Sequence, residues 1–299
     1  MAVVVLGSIN LDLILQVDRF PQAGETKLAQ GLTVSPGGKG ANQALAARRM
    51  GAPTILLGSV GDDPYARQAL TYLQQDGVDL THVLTTRQWS TGLAFITVNA
   101  RGENTILLHA GANQATGDHA LAALDRLLRP SDVLLMQSEV ALAVVAEAAM
   151  LARRRGATVI WDPAPALANP PPVLFKVDAL VPNQGEAEVL TEIAVRDIKS
   201  AKSAACRLVE WGAGLAVVKL GSEGLVWAEE GQVHYCPAEP VQAIDTVGAG
   251  DMFAGALAAL RGEGMSWKEA IHWANRAAGL STTRRGAQPA FPRREEVIR

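Results

Sequence analysis

The chain has 299 residues, of which 48% are hydrophobic and 19% are charged, so it is long enough for one large or two smaller globular domains. Its formal net charge of -3, with Lys and Arg scattered among acids, argues against nucleic-acid or anionic-lipid partners. Two cysteines in unrelated contexts, Cys206 and Cys236, argue against a disulfide framework and a cysteine-rich zinc site. No stretch reaches about 18 apolar residues, and the first residues lack a signal-peptide pattern, so we expect no membrane span and a cytoplasmic location.

Short runs of Val, Ile and Leu recur along the chain, and each predicts a buried strand. These runs are residues 3–6, 54–57, 133–136, 158–161, 179–181 and 215–220. Between them lie Ala- and Leu-rich stretches with helical spacing, at residues 43–50, 66–75, 117–128, 141–155 and 200–211. The repeated order of strand and helix predicts a doubly wound, mostly parallel α/β sheet with helices on both faces.

Two segments, 14–34 and 90–110, break this rhythm because they alternate apolar with polar residues like half-exposed strands. The second contains Asn-Ala-Arg-Gly at 99–102, a plausible turn between two strands. We therefore expect one domain over residues 1–299, with a small β-sheet lid formed by about 13–35 and 90–110 and inserted in it. The proline-rich stretch 164–172 is short and follows a strand, so it predicts a loop and not a domain linker.

The strongest local motif is Asp-Thr-Val-Gly-Ala-Gly-Asp at 245–251, followed by a helical stretch at 252–260. Backbone amides at a helix start bind phosphate, and glycines at 248 and 250 let the ligand approach the backbone. A carboxylate at this helix start would add negative charge beside a bound phosphate. Its presence is explained if Asp251 accepts a proton from an attacking hydroxyl. The alternative is that Asp251 only caps the helix and the glycines form a tight turn, and the motif alone does not decide between the two.

A second glycine cluster, Pro-Gly-Gly-Lys-Gly-Ala-Asn at 36–42, also leads into a helical stretch. Its spacing matches neither a Walker A loop nor the dinucleotide-binding pattern. The remaining interpretation is a glycine turn that lets a ligand approach the backbone closely. The cation of Lys39 and the amide of Asn42 suit a polyhydroxylated ligand. An ordinary glycine loop is the alternative interpretation.

Polar side chains follow several of the predicted strands. Asn10 and Asp12 follow the first strand and Glu139 follows the run at 134–137, so in a parallel sheet they would converge on a ligand such as a sugar. Any one of them alone would more often be a solvated loop residue. Asn183 and Glu186, after the strand at 179–181, suit Mg²⁺ held through water, or alternatively a helix capping box.

Taken in order, these motifs resemble the ribokinase family of sugar kinases, which also holds the B-type phosphofructokinases. The resemblance runs nearly end to end. It includes Gly-Ser-Ile-Asn-Leu-Asp at 7–12, Gly-Gly-Lys-Gly-Ala-Asn at 37–42, the Asn-x-x-Glu pair at 183 and 186, and the motif at 245–251. It implies a doubly wound α/β core with a β lid over the sugar, and a homodimer formed through the lid, whose strand edges a second subunit can pair.

The resemblance also implies roles for individual residues. Asp251 corresponds to the family's catalytic base, and the anion hole corresponds to Gly248, Ala249 and Gly250. The sugar-binding positions correspond to Asn10, Asp12, Gly38, Lys39, Asn42, Glu139 and Asp251. The ATP-binding positions correspond to Asn183, Lys219, Gly221, Gly224, Gly248, Gly250 and Asn275. Mg²⁺ corresponds to Asn183 and Glu186, and a monovalent cation, usually K⁺, to Asp245, Val247, Ser281, Arg284 and Gly286. Ala290 stands where family members often have a serine ligand for that cation.

The activity implied is transfer of the γ-phosphoryl group of ATP to the 5-hydroxyl of D-ribose. Alternatives within the same fold are a 2-keto-3-deoxygluconate kinase, a fructokinase, a fructose 6-phosphate kinase and a nucleoside kinase. A small neutral sugar is favoured by the side chains of Asn10, Asp12, Lys39 and Asn42. A phosphorylated substrate would need additional cations around the pocket, and the sequence shows no dedicated set of them. A binding protein without catalysis is the alternative from a different class, and it is disfavoured because the base and both glycines of the anion hole are present.

Overall fold

A computed structural model describes residues 1–298, and Arg299, the last residue of the predicted domain, lies outside the described residues. The strands are β1 Val3–Leu6, β2 Asn10–Gln16, β3 Gly31–Gly37, β4 Thr54–Gly61, β5 Val83–Thr86, β6 Gly92–Val98, β7 Asn104–His109, β8 Val133–Met136, β9 Thr158–Trp161, β10 Ala179–Leu180, β11 Leu215–Lys219, β12 Leu225–Glu229 and β13 Gln232–Cys236. The helices are α1 Lys39–Arg49, α2 Pro64–Ala69, α3 Thr71–Gln75, α4 Asp118–Leu127, α5 Leu142–Arg155, α6 Gln184–Thr191, α7 Ile198–Glu210, α8 Ala249–Gly262, α9 Trp267–Ser281 and α10 Arg294–Val297.

The large sheet has nine strands in the order β13-β12-β11-β10-β9-β8-β1-β4-β5. The run from β11 to β5 is parallel, while β12 and β13 add an antiparallel edge. Strand β1 pairs with β4 on one side and with β8 on the other, so the strand order reverses beside β1. In open α/β sheets a ligand binds beyond the carboxyl ends of the strands at such a reversal. The predicted doubly wound α/β fold is confirmed, and its topology places the site after β1 and β8.

The core consists of two layers, one on each face of the large sheet. Val3 and Val5 of β1 point into the layer covered by α1, α8 and α9, and Val4 and Leu6 point into the layer covered by α4 to α7. Helices α1 and α8 pack closely at Gly255, which has no side chain. A methyl group at this position would lie only 2.5 Å from Cβ of Ala46. This close approach brings the amino ends of two helices to the same edge of the sheet.

A separate four-stranded sheet has the order β3-β2-β6-β7, with β2 and β6 parallel and the outer pairs antiparallel. Its strands arise from the two alternating segments, and the turn predicted at 99–102 joins β6 to β7 through a bond from the Gly102 N–H to the Asn99 carbonyl (2.9 Å). The small predicted sheet is therefore present. Its function as a lid, and the boundaries 13–35 and 90–110, stay predictions.

Several element boundaries differ from the sequence-based expectation. Helix α1 begins at Lys39 and not at residue 43, and α8 begins at Ala249 and not at residue 252. Glycines in the first turns hid both starts, because glycine is a poor helix former. The stretch 66–75 is interrupted at Leu70, and Asn10 opens strand β2 instead of lying in a loop. Among residues 1–298, no helix combines the length and the apolar character that crossing a membrane requires.

Candidate active site

The site begins where β1 and β8 end. Ser8, after β1, donates its hydroxyl hydrogen to Oε2 of Glu139, which follows β8 (2.5 Å), and the backbone N–H of Lys39 donates to the same oxygen (3.3 Å). Burial raises the pKa of the Glu139 carboxyl, although the charge of Lys39 opposes the shift. Three segments that are distant in the sequence are therefore joined at the reversal of strand order.

Asn10 and Asp12 reach this edge from β2. Oδ1 of Asn10 accepts from Nδ2 of Asn113 (2.7 Å), and a methyl group at Gly92 would lie 2.2 Å from that oxygen, so only glycine leaves room for the contact. Burial, followed by the charges of Glu139 and Asp251, raises the pKa of Asp12 to about 7. Asp12 is thus a carboxyl group held near other acids.

The turn before α1 requires glycine at position 38. Gly38 has φ +87° and is the N-cap of α1, and a methyl group there would lie 2.6 Å from the backbone nitrogen of Asn10. Burial disfavours the charge of the next residue, Lys39, but the carboxylates around it outweigh burial and raise its pKa above the ordinary range. Those carboxylates belong to Asp251, Asp162, Glu139 and Glu186. Lys39 is consequently a charged amine enclosed by acids.

Asp251 is 6% exposed and lies in the first turn of α8, whose N-cap is Gly248 with φ +79°. Its carboxylate accepts from the side chain of Asn42 at Oδ2 (2.9 Å) and from that of Gln43 at Oδ1 (3.0 Å). The alternative in which Asp251 only caps its own helix is therefore wrong, because the cap position belongs to glycine and the carboxylate faces α1. The two glycine turns meet at this side chain.

A cavity of about 630 Å³ opens beside the amino end of α8. The N–H groups in the first turn of a helix lack intrahelical partners and carry its positive dipole end. A methyl group at Gly250 would lie 3.5 Å from Nζ of Lys219, so an anion bound at this helix end would also meet an amine. The sequence-predicted residues that line the cavity are Lys39, Asn183, Glu186, Lys219, Gly221, Gly224, Gly248, Ala249, Gly250, Asp251 and Asn275.

Asn183 and Glu186 form a capping box at the start of α6. The Glu186 N–H donates to Oδ1 of Asn183 (2.9 Å), and the Asn183 N–H donates to Oε2 of Glu186 (2.6 Å). Burial, followed by the charge of Asp162, raises the pKa of Glu186. The capping interpretation is confirmed, and the same carboxylate also faces the cavity.

Oxygen donors of this kind suit a divalent cation. Asp162 and Glu186 are buried carboxylates that line one cavity, and hard oxygen ligands are those that Mg²⁺ prefers. Across the part of the chain that the structure describes, no group of three or more His, Cys, Asp and Glu side chains is placed to hold a metal. The donor set therefore fits a cation that keeps part of its water shell and binds a ligand phosphate.

The far end of the cavity is formed by the turn after β11 and by α9. Gly221 and Gly224 have φ values of +58° and +94°, which favour glycine. Asn275 donates from Nδ2 to the carbonyl of Pro237 (2.9 Å), which ties α9 to the chain after β13. These predicted nucleotide positions share the cavity with the amino end of α8.

The residues predicted for a monovalent cation lie behind the α8 turn. Asp245 accepts from the N–H of Gly286 (2.8 Å) and of Val247 (3.0 Å), and its own N–H donates to the Thr282 carbonyl (3.1 Å). The hydroxyl of Ser281 donates to the Ala278 carbonyl (2.7 Å). The guanidinium of Arg284 pairs with Glu296. The two loops are held side by side, while the side chains of Ser281 and Arg284 are engaged elsewhere.

The buried polar residues of the site that were not identified from the sequence include Gln43, Asn113, Asp162 and Gln288. Asp162 directly follows β9, so the strand-end argument used for Glu139 would have found it. Gln43 is the first residue of the predicted helical stretch 43–50 and was counted only as part of that helix. Gln288 donates to Oδ1 of Asn42 (3.0 Å) from near the end of the chain. No local pattern marks Gln288.

Comparisons with known proteins agree with this geometry. Residues 2–294 match the model of the family described as pfkB family carbohydrate kinase. The chain is similar to a ribokinase from Haemophilus influenzae, 38% identical over 98% of this chain and 96% of that protein. It is also similar to a ribokinase from Staphylococcus aureus, 37% identical over 99% and 98% of the two chains. The solved structure of Arabidopsis thaliana ribokinase complexed with ribose and ATP has a TM-score of 0.91 and 30% identity, with 99% of this chain and 97% of that chain covered. The chain therefore belongs to the pfkB family of carbohydrate kinases.

Proposed function

We propose that this kinase transfers the γ-phosphoryl group of ATP to the 5-hydroxyl of D-ribose and releases D-ribose 5-phosphate and ADP. The observation that carries the proposal is the position of Asp251. It lies in the first turn of α8, beside the cavity that suits a nucleotide, and it is hydrogen-bonded to Asn42 of the turn that suits a sugar. The similarity to ribokinases, one of them complexed with ribose and ATP, supports the choice of substrates.

In the proposed reaction Asp251 takes the proton of the 5-hydroxyl as that oxygen forms a bond to the γ-phosphorus. The bond from the γ-phosphorus to the oxygen that bridges it to the β-phosphate breaks, and ADP carries away the electron pair. The backbone N–H groups of Gly248, Ala249 and Gly250, with the amine of Lys219, stabilise the charge of the transferring group. A hydrogen-bonded carboxylate at the helix start is thus assigned the role of general base.

The charges of the site favour a neutral sugar. Five acids face two lysines: Asp12, Glu139, Asp162, Glu186 and Asp251 against Lys39 and Lys219. A phosphate group already present on the acceptor would meet this excess of negative charge. This disfavours fructose 6-phosphate as the acceptor. We assign recognition of the sugar hydroxyls to Asn10, Asp12, Gly38, Lys39, Asn42 and Glu139.

ATP is used with a divalent metal such as Mg²⁺, as in an ATP-dependent carbohydrate kinase. We assign its contacts to Asn183 and Glu186, through water, and when bound the ion would offset phosphate charge. We further propose that ATP itself contacts Asn183, Lys219, Gly221, Gly224, Gly248, Gly250 and Asn275. In this arrangement the protein would supply oxygen groups that hold the hydrated ion and the shape of the cavity.

A monovalent cation such as K⁺ is proposed beside the α8 turn, held mainly by backbone carbonyls of Asp245, Val247, Ser281, Arg284 and Gly286. Ala290 contributes no hydroxyl to this site. The test is to replace choline chloride by KCl and to measure both the Tm and the turnover number. A Tm and a turnover number that are the same in the two salts would contradict this site.

The small sheet is proposed as a lid, formed by about 13–35 and 90–110 in a single domain of residues 1–299, and as the interface of a homodimer. The strand register places Val34, Phe95 and Leu107 in one row across the sheet, opposite to the face that bears Asp12. With Leu32 they form a surface in which each residue is at least 43% exposed. Contiguous exposed apolar surface of this kind marks an interaction site. A monomer by light scattering at micromolar concentration would reject the dimer.

The deciding experiment measures ADP release with a panel of acceptors. D-ribose is compared with deoxyribose, fructose, fructose 6-phosphate, 2-keto-3-deoxygluconate and a nucleoside, and the phosphorylated position is assigned by ³¹P NMR. D-ribose should give the highest kcat/KM and a 5-phosphate. Another acceptor far above D-ribose would replace the proposed substrate, and tight ribose binding without ADP release would favour a binding protein. A cytoplasmic location, where ATP is supplied, accompanies the proposed activity.

A further inference from the structure

Gln43 occupies a central position between the two halves of the site. It lies in α1, is fully buried, and its Nε2 donates to Oδ1 of Asp251 (3.0 Å) and to Oδ2 of Asp162 (2.9 Å). Its Oε1 accepts from Nε2 of Gln137 (2.7 Å). A primary amide has two N–H donors, and both are used here. The opposite orientation would point the carbonyl oxygen at two carboxylates, so the chemistry of the neighbours fixes the amide.

Beyond Gln43, the hydrogen bonds continue to the cavity. Asp162 is paired with Nζ of Lys219 (3.0 Å), and both side chains are largely buried. The same amine lies next to Gly250, at the amino end of α8. An unbroken chain of polar contacts thus runs from Asp251, through Gln43 and Asp162, to Lys219. It links the carboxylate proposed to receive the proton with the amine proposed to meet the phosphate.

We propose that Gln43 is a positioning residue for phosphoryl transfer, which holds the Asp251 carboxylate against the acceptor hydroxyl and ties its position to the Asp162–Lys219 pair. This inference rests on the kinase function proposed above. With Asn42 on one oxygen and Gln43 on the other, the carboxylate cannot rotate freely, and each oxygen keeps a lone pair for a proton. Misplacing a reacting group by about 1 Å can lower the rate by about 10²-fold.

Removing Gln43 should affect the chemical step more than binding. Gln43 does not line the cavity. It is also not assigned to the sugar, whereas its neighbour Asn42 is. Loss of a donor to the ionised form of a carboxylate makes protonation easier. The acidic limb of the kcat/KM profile should therefore move to higher pH. A purely structural role would lower stability and leave that limb in place.

The test uses the full chain with Gln43→Met, which keeps a similar volume and removes the hydrogen bonds. We expect kcat for ribose to fall about 10- to 100-fold, as for the loss of a hydrogen bond to a charged group. KM for ribose and for ATP should stay within about threefold, and the acidic limb should shift to higher pH. Leu45→Val is the matched control, since Leu45 is equally buried in α1 but lies in the apolar core. It should lower the Tm without moving the limb.

The outcomes separate this inference from the proposed function. Ribose-dependent ADP release by the unchanged chain is measured first, and its absence refutes the proposed function alone. If that activity is present, an unshifted pH profile with normal kcat in Gln43→Met overturns the positioning role, and so does an equal effect of Leu45→Val. Should Gln43→Met not fold, Gln137→Leu decides, because it releases the carbonyl of Gln43 without touching Asp251. Gln137→Leu should lower kcat less than Gln43→Met does and should also move the acidic limb of the kcat/KM profile to higher pH. An unchanged pH profile in this variant would refute the inference.

Discussion

The two glycine turns of the site, before α1 and before α8, look alike in sequence but differ in what their glycines contact. In the first turn, a methyl group at Gly40 would lie 2.5 Å from the carbonyl carbon of Gly7 and 2.6 Å from the nitrogen of Ser8, so backbone packs on backbone. In the second turn, a methyl group at Gly250 would meet only the end of the Lys219 side chain at 3.5 Å. At Gly40 the first turn serves packing, whereas at Gly250 the second turn leaves its backbone open to a ligand. Gly248 of the second turn also packs against the protein, since a methyl group there would lie 2.7 Å from Cβ of Ala287.

This difference shows that a glycine-rich turn before a helix does not by itself identify a phosphate site. Both helices have a glycine N-cap with positive φ. In α1, however, the first three N–H groups already have acceptors, because Lys39 donates to Glu139 (3.3 Å), and Gly40 (3.4 Å) and Ala41 (2.9 Å) donate to Ser8. Only the α8 turn opens on the cavity with all of its glycines. The first turn instead fixes the side chains of Lys39 and Asn42 at the edge of the sheet. The following substitutions test this division, from the largest expected effect to the smallest.

Replacing the carboxylate at the second turn should have the largest effect. Asp251→Asn keeps the shape of the side chain but removes the proton acceptor, and kcat should fall by roughly 10³-fold, within the range typical of general bases. Ribose affinity, measured by isothermal titration calorimetry, should change by less than about threefold, since the sugar contacts remain. Near-normal turnover in this variant would remove Asp251 from its proposed role.

A methyl group in the first turn should mainly destabilise the fold. Gly40→Ala places Cβ inside the backbone of Gly7 and Ser8, so we expect the free energy of unfolding to fall by about 3 kcal/mol in a urea titration. Gly279→Ala is the matched control, because Gly279 lies in α9 with no atom within 4 Å of the added methyl group. That variant should be neutral or slightly more stable. Equal stability of the two variants would contradict the packing role.

The same change in the second turn should mainly affect catalysis. Gly250→Ala meets no close atom in the protein, so the Tm should stay within about 2 °C, corresponding to roughly 0.5 kcal/mol. Its methyl group would point toward the amine of Lys219, where the transferring phosphoryl group is proposed to lie. We expect kcat to fall about 10-fold, less than for removal of a whole oxyanion donor. A stable variant with unchanged kcat would place the phosphate elsewhere.

The smallest effect is expected from the pH dependence of stability. The pKa of Asp12 is about 7 in the folded chain and 3.8 ordinarily, so between pH 4 and 7 the folded state binds more protons than the unfolded state. The free energy of unfolding should therefore fall as pH rises through this window. Asp12→Asn should reduce that slope and be more stable than the parent at pH 8, by about 1 kcal/mol after solvent screening, in urea titrations without sugar.

The control for this prediction is Asp18→Asn. Asp18 is exposed, and the hydrogen bond from Lys27 lowers its pKa, so its own effect on stability lies below pH 4. The free energy of unfolding of Asp18→Asn should change with pH between pH 5 and pH 8 with the same slope as that of the parent chain. Asp12 would be an ordinary solvated carboxyl if its replacement also left the slope unchanged.

Much of this site could be predicted because the signals were local. Apolar runs set the strands, and polar residues just after β1 and β8 led to Asn10, Asp12 and Glu139. The boundaries of α1 and α8 were misplaced, since glycine in a first turn weakens the helical pattern and its φ is visible only in the fold. The capping box of Asn183 and Glu186 was readable from its spacing, whereas its position in the cavity was not.

The amino-acid sequence by itself determined the α/β architecture and the two glycine turns, because periodicity and turn chemistry depend on neighbouring residues. Only the tertiary structure decided which groups meet. The contacts of Asp251 with Asn42 and Gln43 join residues 209 and 208 positions apart, and they exist because Gly255 lets α8 pack closely on α1. The pairing of Asp162 with Lys219 likewise depends on the order of β9, β10 and β11 in the sheet.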